Sequence, residues 1–177
     1  MLLIPLAIIM YLDRICISIA GPRMQEAFGI SPKQWGLVLG AFTLSYALFE
    51  IPGGRWGDRF GARRILTRIV LWWSAFTMLS ALATGYWSLV AIRFLFGAGE
   101  AGALPNISIV VSRYFPAAGR AQALGIICMA MQAGAFLAPF LVVPLQQHWG
   151  WQASFFVFGG VGILWAISWF LLYRDEL

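Results

Sequence analysis

Six long apolar stretches, separated by short polar segments, dominate the sequence. They lie at about residues 2–22, 34–54, 65–84, 88–112, 121–144 and 152–173, and Gly, Pro, Arg or Trp marks their ends. An α-helix needs about 20 mostly apolar residues to cross the hydrocarbon core of a bilayer, which is about 30 Å thick. The pattern therefore predicts an all-α membrane protein in which residues 1–177 form one domain, a bundle of six transmembrane helices.

The composition supports the same class of protein. Of the 177 residues, 61% are hydrophobic and 11% are charged, and the mean hydropathy is +0.81. A soluble domain is about half apolar and about a quarter charged. This chain has too much apolar surface for one water-facing core, and six spans leave almost no room for a soluble domain.

Basic residues are concentrated at one end of the predicted bundle, and we expect that end to face the cytoplasm together with both termini. The opposite end has only Arg23 and Lys33. The basic residues at the first end are Arg55, Arg59, Arg63, Arg64, Arg68, Arg113, Arg120 and Arg174. They occur in short groups between apolar stretches, which indicates a lipid bilayer and not a nucleic acid as the partner.

The sequence contains no constellation of residues that predicts catalysis. No nucleophile–base–orienter set and no phosphate-binding Walker loop is present, so we predict neither an enzyme nor a cofactor. Cys16 and Cys128 lie inside apolar stretches and form no C-x-x-C motif, which predicts no disulfide framework and no metal site.

One G-x-G-x-x-G pattern occurs, at Gly97, Gly99 and Gly102. A dinucleotide-binding loop needs a preceding strand, and this pattern lies within the fourth apolar stretch, so we reject that interpretation. We expect these glycines to let neighbouring helices or a solute approach, and Pro105 to loosen the helix one turn later. Close helix contact is also predicted for three sets of small residues: Gly36 with Gly40, Ala121 with Gly125, and Ala130 with Gly134 and Ala138.

Four ionisable residues lie deep within the predicted spans. Asp13 and Arg14 are about halfway along the first span, Glu100 is near the middle of the fourth, and Arg93 is two turns from Glu100 on the same helix face. Each costs about 2.5–3.5 kcal/mol at the centre of a membrane helix. Two polar residues share this depth, Tyr46 and Gln132. The pattern predicts a central polar cavity, and the alternative is a static ion pair that fixes helix register.

The segment GGRWGDRFGARR at residues 53–64, hereafter the signature segment, resembles the loop between the second and third helices of the major facilitator superfamily. The residues that match the family pattern are Gly54, Asp58, Arg59, Gly61, Arg63 and Arg64. Its glycines allow a tight turn, and Asp58 can pair with arginines or with a helix terminus. Such a cluster can act as a conformational latch, whereas an ordinary basic loop would explain the arginines but not Asp58 or the glycine spacing.

Further motifs resemble the anion:cation symporter branch of that superfamily, which includes carriers of sugar acids. They are YLDR at 11–14, FEIPGG at 49–54, RFLFGAGEAGALP at 93–105, YFP and GRA within 114–121, and WGWQASFFVFGGVGILWA at 149–166. The resemblance implies the N-terminal six-helix half of a major facilitator fold, built from 3+3 inverted repeats. It also implies a bacterial inner membrane, and a C-terminal half or a second chain to complete the transporter.

The resemblance further implies roles for individual residues. Asp13 and Glu100 match acidic residues of proton coupling, and Arg14 and Arg93 match arginines that hold the carboxylate of the substrate. The remaining predicted substrate-binding residues are Tyr11, Tyr46 and Gln132. The sequence thus favours proton-coupled symport of an organic anion such as a sugar acid, and a truncated, non-transporting or partner-binding membrane module is the alternative.

Overall fold

The computed structural model describes residues 2–174, apart from the side chain of Asp58. Within that range the chain forms seven α-helices. They are α1 (Leu3–Phe28), α2 (Pro32–Phe60), α3 (Ala62–Ala81), α4 (Tyr86–Glu100), α5 (Ala103–Tyr114), α6 (Ala117–Trp149) and α7 (Trp151–Leu172). Helices α4 and α5 share the fourth apolar stretch, so seven helices correspond to six predicted spans.

Five segments of the described chain are long and apolar enough to cross a membrane. They are Leu3–Phe28, Pro32–Gly57, Tyr86–Tyr114, Ala117–Trp149 and Trp151–Leu172. Helix α3, which covers most of the predicted span at 65–84, is not among them, because Arg63, Arg64 and Arg68 lie in its first two turns and lower its hydropathy. It nevertheless packs along α7 and against α4 as a full member of the bundle.

Three helix pairs carry most of the packing: α1 with α6, α2 with α4, and α3 with α7. Secondary contacts join α3 to α4 and α1 to α7. The buried apolar side chains form two separate clusters, one containing Met10, Trp73 and Phe96 and the other containing Cys16 and Leu89. The bundle therefore has two cores, stacked one above the other along its helices.

The small residues of α6 make the close contact that their spacing predicts, but only in part. Gly134 lies directly against the backbone of Ile8 on α1, and Ala130 and Ala138 are buried. The prediction is wrong for Gly36, Gly40 and Gly125, because no atom lies within 4 Å of the position where each would carry a Cβ. These glycines lie on faces of α2 and α6 that no other part of the described chain covers.

The signature segment is mostly helical, which corrects the expectation of a loop after residue 54. Helix α2 continues through Phe60, and α3 begins at Ala62. The turn between them is confined to Gly61, whose φ of 83° is a conformation that glycine adopts most readily. At this end of the bundle Arg63 donates two hydrogen bonds to the carbonyl oxygen of Phe170, and the Nε bond measures 2.9 Å.

Candidate functional site

Three of the four deep ionisable residues, Asp13, Arg14 and Arg93, lie at the boundary between the two apolar cores. Along α1 the first cluster ends at Met10 and the second begins at Leu12, next to Asp13. Along α4, Leu89 belongs to the second cluster and Phe96 to the first, with Arg93 between them. Asp13, Arg14 and Arg93 therefore lie where the two clusters meet, and Glu100, two turns after Arg93, lies beside the first cluster. We call these four residues the polar layer.

An ion pair joins the first and fourth spans in this layer. The Nη2 atom of Arg14 donates to Oε1 of Glu100 at 2.6 Å, across 86 positions of the chain. Glu100 is 1% exposed, whereas the side chain of Arg14 is 27% exposed. Charge-assisted hydrogen bonds of this kind are short and strong. The arginine is thus the accessible member of the pair.

Aromatic rings surround the guanidinium group of Arg14. Its Cζ atom lies 5.3 Å from the ring centroid of Tyr11 and 5.1 Å from those of Phe42 and Tyr46. A cation within about 6 Å of a ring face is stabilised by the ring quadrupole. Both tyrosines were predicted site residues, whereas Phe42, one helical turn before Tyr46, was not.

Asp13 and Arg93 complete the polar layer from the same two spans. They are 2% and 3% exposed, and the guanidinium carbon of Arg93 lies 4.2 Å from the ring centroid of Phe96. Asp13 is close enough to Arg93 and Glu100 to interact electrostatically with both. Four formal charges, two of each sign, are therefore gathered from α1 and α4.

Several buried polar atoms of this layer have no hydrogen-bond partner within residues 2–174. They include Oε2 of Glu100 and the Nε atoms of Arg14 and Arg93. The carboxylate of Asp13 lies near the indole of Trp73, and the hydroxyl of Tyr46 lies near Arg14. An unpaired polar group in an apolar interior costs several kcal/mol on transfer scales, about 2–7. Chemically, these oxygens can accept protons, and the guanidinium groups can donate to a carboxylate.

The remaining predicted site residues lie on α6 and in the signature segment. Gln132 is exposed on α6. In the signature segment, Gly54 packs against Pro105, Arg59 lies 5.4 Å from the ring of Phe60, and Arg64 is exposed. The side chain of Asp58 lies outside the described part of the structure.

The fourth span is interrupted immediately after Glu100. Ala101 has an extended backbone, with φ −54° and ψ 137°, and Gly102 is left-handed, with φ 87°. Proline has no N–H and its ring clashes with the carbonyl four residues earlier, which for Pro105 is that of Ala101. The loosening expected at Pro105, one turn beyond the glycines, lies at Ala101 and Gly102 instead.

Asn106 joins the start of α5 to α2 at this interruption, and it was not among the predicted site residues. Its buried Nδ2 atom donates to the carbonyl oxygens of Gly102 at 2.7 Å and of Gly53 at 3.1 Å. A lone asparagine that follows a proline in an apolar stretch was the available signal.

A helical bundle of membrane-spanning length, with charged side chains buried between its helices, defines an integral membrane protein. Residues 3–177 match the family model of the Major Facilitator Superfamily. The chain belongs to the Major Facilitator Superfamily, as its motifs predicted.

Similar proteins are named as carriers of sugar acids. The chain is 38% identical over 168 residues to a D-galactonate transporter of Escherichia coli O6:H1, covering 94% of the chain and 39% of that protein. It is 34% identical over 169 residues to a hexuronate transporter of Bacillus subtilis, covering 96% of the chain and 40% of that protein. These relatives are transporters by name and not enzymes, in agreement with the sequence analysis.

The fold resembles that of a solved transporter. A bacterial homolog of the human lysosomal transporter Spinster, in an inward-facing and occupied conformation, superimposes with a TM-score of 0.86 at 28% identity. The match covers 99% of this chain and 44% of that one. The chain therefore spans about two fifths of the length of the relatives it matches.

Proposed function

We propose that this chain is the N-terminal half of a proton-coupled symporter that carries an organic anion, such as a sugar acid, across a bacterial inner membrane. The names of the relatives support the substrate class. The polar layer supports the coupling to protons. A C-terminal six-helix half or a second chain supplies the other wall of the substrate cavity, since secondary transporters bind their substrate between two repeats.

The charge balance of the polar layer is the observation that carries this proposal. With Asp13 and Glu100 ionised, their two negative charges offset the two positive charges of Arg14 and Arg93. Protonation of either carboxylate leaves one uncompensated positive charge in a buried region. A buried charge is stabilised only when it is paired, so uptake of a proton creates a binding site for an anion.

In the proposed mechanism, the carboxylate of the substrate replaces Glu100 as the partner of Arg14. A proton on Glu100 weakens its 2.6 Å ion pair and frees the Nη2 atom of Arg14, the more exposed member of the pair. The carboxylate of the substrate then takes the place of the glutamate, and Arg93 provides a second guanidinium group. Tyr11, Tyr46 and Gln132 contact the rest of the solute.

The packing pattern supports the proposed 3+3 inverted repeat. With α4 and α5 counted as the fourth span, α6 is the fifth span and α7 the sixth. If spans 1, 2 and 3 are exchanged with spans 4, 5 and 6, the α1–α6 contact becomes the α2–α4 contact. The same exchange converts α1–α7 into α3–α4 and leaves α3–α7 unchanged. Asp13–Arg14 and Arg93–Glu100 then belong to equivalent helices, with spans 1–3 and 4–6 as the two repeats.

The proposed orientation has both termini in the cytoplasm, and contacts at the arginine-rich end of the bundle support it. Arg63 at the start of α3 binds the carbonyl of Phe170 near the end of α7, and Tyr114 donates to the carbonyl of Arg174 at 3.1 Å. These contacts bring Arg63, Arg174 and the end of α5 to one end of the bundle, the end that the positive-inside rule assigns to the cytoplasm. The signature segment, with Gly54, Asp58, Arg59, Gly61, Arg63 and Arg64, is proposed to latch that end in one conformation.

Uptake by reconstituted protein tests the proposal. The transporter that contains this chain is placed in proteoliposomes and supplied with radiolabelled D-galactonate, glucuronate or D-glucarate. We expect uptake of at least one of these acids when the interior is alkaline relative to the exterior, and its loss when a protonophore collapses the gradient. Uptake driven only by an imposed sodium gradient would contradict proton coupling.

The alternative, a non-transporting membrane module, has its own discriminating observation. An open reading frame that continues past codon 177 into six more apolar stretches supports the symporter. A stop codon at that point, together with no uptake of any acid by the 177-residue chain, supports the module. Crosslinking between two copies of the chain, accompanied by uptake, would indicate that two chains form the transporter.

A further inference from the structure

Asn106 is a buried polar residue for which the proposed transport mechanism has no use. It lies on α5, one turn after the interruption at Gly102, and its side chain is 0% exposed. Its amide nitrogen donates both to Gly102, on its own span, and to Gly53, on α2. One side chain therefore holds the interrupted fourth span and the second span together.

The backbones of these two spans approach so closely that only glycine fits between them. A Cβ on Gly53 would lie 2.7 Å from the carbonyl oxygen of Ala101, and a Cβ on Gly102 would lie 2.7 Å from the carbonyl carbon of Gly53. A Cβ on Gly57 would overlap Oδ1 of Asn106. These contacts leave the second span little freedom to slide past the interruption.

The contact between the second span and the interrupted fourth span lies between two parts of the proposed mechanism, the proton site and the latch. Glu100 immediately precedes the interruption and binds Arg14. Gly53 and Gly57 belong to the signature segment, which ends in the turn at Gly61 and the arginines of α3. Asn106 is thus the polar link between the proposed latch and the proposed proton site.

We propose that Asn106 is a positioning residue that couples movement of the signature segment to the position of Glu100. This inference rests on the proposed function, because it assigns Asn106 a role in proton-coupled transport. The amide supplies a donor to two carbonyls in a region where proline disrupts the helical hydrogen bonds. Displacement of α2 at Gly53 therefore pulls on Gly102 and shifts the carboxylate of Glu100 relative to Arg14.

Replacement of Asn106 by leucine tests the link, because leucine has a similar size but donates no hydrogen bond. We expect Asn106→Leu to lower pH-gradient-driven uptake of D-galactonate in proteoliposomes by roughly tenfold, within the range of about 2- to 30-fold that changes in coupling networks produce. The pH at which uptake is half-maximal should also shift. Ser108→Ala is the matched control, since Ser108 is exposed on the same helix and donates to the carbonyl of Leu104, within its own span.

A double-mutant cycle separates positioning from folding. Gly57→Ala alone places a methyl group against Oδ1 of Asn106, so we expect it to lower the yield of folded protein. Combination with Asn106→Ala removes the overlap and should restore the yield. The pH profile of the double variant should remain shifted, because the donor to Gly53 and Gly102 is still missing.

Two outcomes overturn the inference without affecting the proposed function. One is a wild-type pH profile for Asn106→Leu under conditions in which Glu100→Gln changes it. The other is a double variant that recovers both yield and the wild-type pH profile. If instead Glu100→Gln itself leaves the pH dependence unchanged, the proposed function fails, and this inference fails with it.

Discussion

Arg14 and Glu100 face each other across the polar layer with unequal access to the surface. The glutamate is 1% exposed and the arginine 27%, although their side chains are only 2.6 Å apart. A solute that approaches the pair therefore meets the guanidinium group first. The carboxylate lies behind it, where protonation changes the charge that the solute encounters.

Glu100→Gln should separate transport of the anion from transport of the proton. Glutamine keeps the approximate shape and can still contact Arg14, but it neither binds nor releases a proton at neutral pH. We expect pH-gradient-driven uptake of D-galactonate to fall to background, while exchange of internal for external D-galactonate persists. Glu26→Gln, an exposed carboxylate near the end of α1, is the control. Gradient-driven uptake that survived in Glu100→Gln would remove Glu100 from proton coupling.

Arg93→Ala should weaken binding of the organic anion. A hydrogen bond to a charged group contributes about 1.5–3 kcal/mol, so loss of the guanidinium predicts a rise in Kd of roughly 10- to 100-fold. Titration of D-galactonate into detergent-solubilised transporter by calorimetry measures this change. Lys33→Ala is the control. It removes an exposed positive charge at the end of the bundle opposite the arginine-rich end, and it should leave Kd unchanged. Equal affinities for Arg93→Ala and the wild type would exclude Arg93 from the site.

Gly134→Ala should destabilise the bundle, whereas Gly125→Ala should not. Both glycines lie on α6, but a Cβ on Gly134 would meet the backbone of Ile8, and nothing lies within 4 Å of a Cβ on Gly125. Overpacking of this kind costs about 1–3 kcal/mol, and surface substitutions change stability by less than about 0.5 kcal/mol. Thermal unfolding in detergent compares the two variants. Equal melting temperatures would show that α1 and α6 do not pack through Gly134.

Arg63→Lys should loosen the contact between α3 and α7. Lysine keeps the charge but loses the Nε donor to Phe170 and the planar group that lies 4.3 Å from the Phe170 ring. We expect a loss of about 1 kcal/mol in unfolding free energy, typical of one hydrogen bond or one cation–π contact. Arg64→Lys, at an exposed position one residue later, should change stability by much less. A larger effect at Arg64 would contradict the described geometry.

The polar layer was largely predictable, because charges in apolar stretches are rare and their depth follows from counting residues along a helix. Asp13, Arg14, Arg93 and Glu100 were identified in this way, and the structure brings them near one another. Phe42 was missed because an aromatic residue in an apolar stretch gives no signal until its neighbour Arg14 is known.

The contacts of glycines were less predictable from the sequence. The same spacing of small residues produces tight packing at Gly134 and an open face at Gly36 and Gly40, because spacing defines a helix face but not its partner. The helical extent of the signature segment was also missed. Glycines are read as loop formers, yet Gly53 and Gly57 lie within α2, where the absence of a side chain lets α5 approach.

The distribution of the buried charges has a consequence for biosynthesis. The apolar part of α1 carries Asp13 with Arg14, and that of α4 carries Arg93 with Glu100, so each segment carries one charge of each sign. A single charge at the bilayer centre costs about 2.5–3.5 kcal/mol. Because neither segment has a net charge there, each can leave the translocation machinery as an electrically neutral unit, and the pairing of Arg14 with Glu100 can wait until both helices are in the lipid.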